Sequence, residues 1–212
     1  MDPETAEAHV VDVAEELFYS RGIQAVGMDE IRNASGVSLK RLYQLFPGKE
    51  QLITAFLRRR DVRWRQRLAN HVDTYSRPDE RILAVFDWLF GWFCEPGYRG
   101  CAWINSFGEL GATSSAVAEE ARNHKAAFKR YLDALADDAG LPPSFADHLL
   151  LLAEGAMVTA AITRSPQPAY HAKDAAQLLL SSARTAEPTR ISENVTDASG
   201  THKVPKAPTM QA

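Results

Sequence analysis

MDEIRNASGVSLKRLYQLFPGKE, residues 28–50, reads as two short helices around a tight turn. Met28 to Ala34 suits two helical turns, with Asp29 and Glu30 at the positive end of the helix dipole. Ser35-Gly36-Val37 breaks the pattern, because glycine accepts the left-handed backbone that such a turn needs. Ser38 is a good N-cap for a third helix running to about Leu45, which Pro47-Gly48 ends. Helix, turn and helix at this spacing can set the second helix into the major groove of DNA. Leu39, Leu42 and Phe46 are expected to face inward, and Lys40, Tyr43 and Gln44 to share the opposite side with Arg41 at its edge. Lysine and arginine reach phosphates or guanine acceptors, glutamine pairs with adenine and tyrosine donates to phosphate. For Tyr43 a second reading stands at this point, an aromatic plug between the third and fourth helices. Free amides near Gly48, with the charge of Lys49, would form a phosphate seat where the fourth helix starts.

Working outward, Val10, Val13, Ala14 and Leu17 repeat at i, i+3, i+4, i+7, a first amphipathic helix ending near Gly22. The fourth helix keeps Ile53, Leu57, Trp64, Leu68 and Val72 on one side. A helix expected over 79–94 is apolar nearly all round and must be buried on most sides. Further helices are expected from Ala102 to Leu110, from about Ser114 to Ala139, from about Ser144, after Pro142-Pro143, to about Thr163 and from Lys173 to Arg184. Ser144 with Asp147 resembles a capping box. Strand signals are almost absent, so the fold class is all-α. The domains expected are a helix-turn-helix unit over 1–50, a helical domain over 51–185 and a disordered tail over 186–212.

Charge is segregated along the chain. The formal net charge is −3 over 212 residues, yet residues 1–37 carry −6, residues 38–72 carry +7 and the remainder −4. Cations gathered in one short stretch read as an electrostatic footprint for nucleic acid, or as a solvated arginine-rich face. The arginines at 58, 59, 60, 63, 65 and 67 lie far along the fourth helix and read as solvated or interdomain residues. No window approaches 18 uninterrupted apolar residues, and the acidic start lacks the form of a secretory leader; a cytoplasmic protein without a membrane span is expected. Six histidines show no metal-ligand spacing, and neither a nucleophile–base arrangement nor a phosphate-binding glycine loop is legible. The expectation is therefore no enzyme, no metal and no cofactor.

The stretch VVDVAEELFYSRGIQAVGMDEIRNASGVSLKRLYQLFPGKEQLITAFL resembles the N-terminal domain of TetR/AcrR-type repressors. The resemblance is carried by Leu17-Phe18, Gly22, Ile31, Ala34 to Ser38, Leu42-Tyr43, Phe46, Lys49-Glu50 and Leu52. It implies an all-helical homodimer that binds operator DNA through its first three helices, with the fourth as connector and a divergent C-terminal ligand domain. By the same resemblance Ser38, Lys40, Arg41, Tyr43, Gln44 and Lys49 fall where the family contacts DNA. Met28, Arg32, Lys40-Arg41 and Leu45 depart from the usual residues, which leaves the operator sequence open.

Phe86, Trp88, Trp92, Phe93, Trp103, Phe107, Phe128, Tyr131 and Met157 supply material for an aromatic pocket, or equally for an aromatic core. Asn105 and Glu109, at i and i+4, either anchor a ligand there or face solvent. The expected ligand set is Phe86, Trp88, Trp92, Trp103, Asn105, Phe107, Glu109, Phe128 and Tyr131, around a small apolar or planar inducer. Leu149, Leu152, Ala153, Ala156 and Ala160 offer a small-residue stripe, with Leu178, Leu179 and Leu180 beside it. A monomeric core could use the same stripe, but by the resemblance homodimerisation is expected through the helices near 144–163 and 173–185. The leading expectation is a ligand-responsive repressor. Its alternatives are a regulator triggered by oxidation at Cys94 and Cys101, or a ligand-binding protein that no longer binds DNA.

Overall fold

The computed structural model describes residues 2–185, which hold nine helices and no strand. They are α1 Pro3–Arg21, α2 Met28–Ser35, α3 Leu39–Leu45, α4 Lys49–Val72, α5 Pro78–Phe93, α6 Ala102–Leu110, α7 Ser115–Asp138, α8 Pro143–Thr163 and α9 Gln167–Thr185. The tail expected beyond 185 lies outside the described residues.

α4 ties the two halves together. Its first turns bury Leu52, Ile53, Phe56 and Leu57, and Phe18 of α1 lies 6.1 Å from Phe56. Its later turns bury Trp64, Leu68 and Val72 against α5 and α7. α5 is surrounded by α4, α7, α8 and α9, which explains its apolarity on nearly every side.

Four local expectations need correction. Leu39 is 42% exposed, because α3 is only seven residues long and Leu42 alone fills its inward side. α8 has Pro142 as its N-cap with no side-chain cap, so Ser144 lies inside the first turn and Asp147 pairs with Lys129 at 3.1 Å. α9 starts at Gln167, six residues before the expected Lys173, since Pro168 in a first turn sacrifices only an amide that has no helical partner. Finally, Leu149, Ala153, Ala156 and Ala160 are buried within the protomer, packed towards α5, α7 and α9. The small-residue stripe is core. α8 is long and apolar enough to cross a membrane by length and composition, with mean hydropathy 1.5. That apolarity arises because its outward face carries Leu151, Val158 and Ile162 as well.

Candidate nucleic-acid interface

α2 ends in Gly36, whose φ of 67° and ψ of 6° form the left-handed cap that starts the turn into α3. Its N–H donates to Arg32 O at 3.0 Å. From α1, His9 Nε2 donates to Ser35 O at 3.1 Å and pins the same corner. Ser38 Oγ then accepts Arg41 N–H at 3.2 Å and caps α3 as expected. Lys40, Tyr43 and Gln44 are exposed and Arg41 is half-buried. Tyr43, at 46% exposure, therefore leaves the gap between α3 and α4 to Leu42 and Phe46. None of the four makes a side-chain hydrogen bond or ion pair among the described residues. Lys49 lies 5.9 Å from the Phe18 ring, and burial holds its ammonium below the ordinary lysine range. Gly48 begins α4 without a side-chain cap, so the first amides of α4 are open beside Lys49.

The positive stretch is answered mostly from within. Arg59 pairs with Asp12, Arg60 with Glu15 at 2.7 Å and Arg63 with Glu15, all from α4 to α1. Arg58 reaches Glu120 at 2.6 Å, Arg65 reaches Asp61 at 2.7 Å and Arg67 pairs with Glu95. Asp12 and Glu15 of the negative first segment and three arginines of the positive second one are thus two sides of one helix–helix contact. Of the nine cations in residues 38–72, these pairs leave Lys40, Arg41 and Lys49.

α6 is fastened to the exit of α1 at both ends. Tyr19 Oη donates to Gly100 O at 2.8 Å and accepts Arg99 N–H at 3.0 Å. Glu109 accepts the N–H groups of Ile23 at 3.1 Å and Gln24 at 2.8 Å, and Gln24 Nε2 donates to Glu109 O at 2.6 Å. Gly22 is where α1 stops, at a φ of 91°, and a Cβ there would stand 3.3 Å from the Glu109 carboxylate.

The nine residues expected around a ligand are dispersed. Trp88, Trp92, Trp103 and Phe128 gather about Trp64, at ring distances of 5.0, 5.7, 6.5 and 5.2 Å. Phe86 is buried in the core. Asn105 and Glu109 line a cleft between α1, α4 and α6 instead. Phe107 is 51% exposed and shares a shallow groove of about 270 Å³ with Trp103 and Lys125. Tyr131, on another groove of about 210 Å³, has its phenol pushed up to about 12 by burial. A cleft of about 650 Å³ lined by Tyr19, Trp64, Arg67 and Trp92 opens beside the aromatic cluster.

Two polar residues against that cluster, Asp61 and His124, escape a reading of the sequence, and Trp64 is legible there only as part of an apolar helix face. His124 Nδ1 bonds Asp61 Oδ1 at 2.7 Å, and its ring stacks on Trp103 at 3.5 Å and 6°. Burial pushes the imidazole down to about 4, so it is neutral near pH 7 and Nδ1 carries the proton donated to Asp61. Trp64 Nε1 and His124 Nε2 are buried with no hydrogen-bond partner among the described residues. Asp61 and Trp64 share one face of α4, but nothing in the spacing announces a histidine some sixty residues on. Of the cysteines, Cys94 is exposed, whereas Cys101 is buried with its Sγ 3.3 Å from Lys125 Nζ.

The model for bacterial regulatory proteins of the tetR family matches residues 10–56. An uncharacterised HTH-type transcriptional regulator of Mycobacterium tuberculosis is 35% identical over 80 residues, 38% of this chain and 40% of that protein. That alignment thus spans about two fifths of the relative. The HTH-type transcriptional repressor NemR of Escherichia coli is 27% identical over 175 residues, 77% of this chain and 88% of NemR. The crystal structure of SCO4454, a TetR-family transcriptional regulator from Streptomyces coelicolor, superposes with a TM-score of 0.77 at 25% identity. The superposition covers 84% of this chain and 95% of that one.

Proposed function

We propose, from the match of residues 10–56 to the model for bacterial regulatory proteins of the tetR family, that the chain is a ligand-responsive, sequence-specific DNA-binding repressor acting as a cytoplasmic homodimer. The observation that carries the reading is the outer face of α3, where Lys40, Arg41, Tyr43 and Gln44 hold no partner among the described residues while the arginines of α4 are internally paired. Arg41 and Gln44 read base edges, and Ser38, Lys40, Tyr43 and Lys49 hold phosphates, with the open amides of α4 beneath Lys49. Two such helices stand one DNA turn apart, ~34 Å, in a dimer.

The dimer forms through the outward side of α8 and α9. Leu151 at 70% exposure, Val158 at 38% and Ile162 at 77% line one side of α8, and Leu178 at 72% stands on α9. Gly155 lies between Leu151 and Val158 with open space about its Cβ position, a notch that lets a second helix come close. The inducer is a small planar or apolar molecule that enters the cluster of Trp64, Trp88, Trp92, Trp103 and Phe128 from the cleft at Trp92. One polar group on it would satisfy Trp64 Nε1 or His124 Nε2.

The test is fluorescence anisotropy of the full chain with duplex DNA from upstream of its own gene, with scrambled competitor and a salt series. Tight, competitor-resistant binding that weakens steeply with salt is expected. Binding no tighter than to scrambled DNA, there and at genome-selected sites, overturns the reading in favour of a ligand-binding protein without DNA function. A second reading rests on Lys125 beside Cys101, since a thiol held by a cation is the chemistry an oxidant-triggered regulator uses. A Cys94→Ser, Cys101→Ser chain that still releases DNA in response to oxidant removes it.

A further inference from the structure

We propose that the cleft between α1, α4 and α6 is a second effector site, one for a small amphipathic carboxylate. The cleft, about 350 Å³, lies between the two fastenings of α6 and is bounded by both domains. Its apolar wall is Phe18, Ile23, Phe56 and Ala102, each at most 3% exposed. Ser106 also lines it, at 2% exposure, and its hydroxyl has no hydrogen-bond partner among the described residues. That hydroxyl opens on the cleft, where water or an occupant can bond it.

The polar groups at the mouth fix the chemistry of the occupant. The Arg99 guanidinium stands there exposed, without an ion pair among the described residues, while Arg21 is spent on Glu30. Asn105 donates to Arg99 O at 2.9 Å and leaves its own carbonyl open. The one carboxylate of the wall, Glu109, is held by the amides of Ile23 and Gln24, which fixes it on the α1 side of the cleft. A purely apolar occupant would leave Ser106 unbonded, and a cationic one would meet Arg99. A carboxylate on Arg99, a short hydrocarbon or aromatic body on Phe18 and Phe56, and a hydroxyl or carbonyl near Ser106 use every free group. The site is distinct from the aromatic cluster, since no tryptophan lines it.

Ligand-detected NMR on the full chain without DNA tests the site, so its outcome is independent of operator binding. The probes are benzoate, phenylacetate, 4-hydroxyphenylacetate and hexanoate, each beside its neutral amide. At least one carboxylate should bind about tenfold more tightly than its amide. That preference should vanish in Arg99→Gln, weaken several-fold in Ser106→Ala and persist in Trp88→Phe, whose position is in the aromatic cluster. Arg99 makes no side-chain contact that the fold depends on, so its variant remains folded. Binding by none of the four, or a carboxylate preference that survives Arg99→Gln, overturns the proposal.

Discussion

His124 is almost fully buried between Trp103 and Trp64 and keeps its proton balance only because Asp61 accepts from Nδ1. Its imidazole sits at about 4 because burial disfavours the cation, against 6.5 when the chain is unfolded. Below pH 6.5 the unfolded chain therefore takes up a proton that the folded chain refuses. Stability should be full above pH 6.5 and fall as pH drops towards 4, by about 3 kcal/mol in total. The lowered Asp61 carboxyl contributes only below that window, near its ordinary 3.8. In His124→Gln the melting temperature should lose most of its slope between pH 6.5 and 4; an unchanged slope would assign it elsewhere. On the reading face, Lys40→Ala with Arg41→Ala should weaken operator binding and flatten the log–log salt slope by about one for each phosphate no longer neutralised. Circular dichroism should be unchanged, since neither side chain has an internal partner among the described residues. At the junction, Glu109→Ala leaves two amides unanswered, one on the buried Ile23. A loss of about 1–3 kcal/mol is expected in denaturant unfolding.

Among the elements, α8 carries the sharpest forecast. Leu151→Glu with Ile162→Glu puts two charges on its outward face without touching Leu149, Ala153 or Met157 beneath. Sedimentation should then show a folded monomer where the unaltered chain gives a dimer; a dimer that persists would move the interface to another face. The same helix shows what a sequence can and cannot convey. Periodicity locates α1 through α7 closely, because capping residues such as Ser38 and Ser114 and stops such as Gly36 act within a few residues of themselves. It does not say which of two apolar sides of α8 meets its own core, since both sides are apolar and only the packing of α5, α7 and α9 decides. The beginning of α9 is obscured for a related reason, a proline reading equally as a break and as a first-turn residue. The exposed face of α3 is legible apart from Leu39, being set by one capped turn. The aromatic set is not, because Trp103, Asn105 and Phe107 share one short helix yet face the cluster, the interdomain cleft and open solvent.

Across the whole molecule, the α1–α4 contact sets how the two halves can be separated. Asp12 and Glu15 of α1 are held by Arg59, Arg60 and Arg63, three turns into α4, while Phe18 rests on Phe56. Exposed pairs of this kind contribute little singly, about 0–1 kcal/mol each, but Glu15 is shared by three arginines, Arg59 at 3.9 Å, Arg60 and Arg63, and is shielded at 15% exposure. For anyone transplanting the reading head onto another regulator, the seam is therefore not the end of α3. A chimera joined at residue 50 would import α1 with its acids facing foreign side chains and would leave Phe18 without its neighbour. One joined after Val72 carries the acids, their arginines and the aromatic contact across together. The later junction should melt cooperatively and at least several degrees higher than the earlier one. The portable unit is thus a clasp of α1 with the whole of α4, some twenty residues longer than α1 to α3 alone.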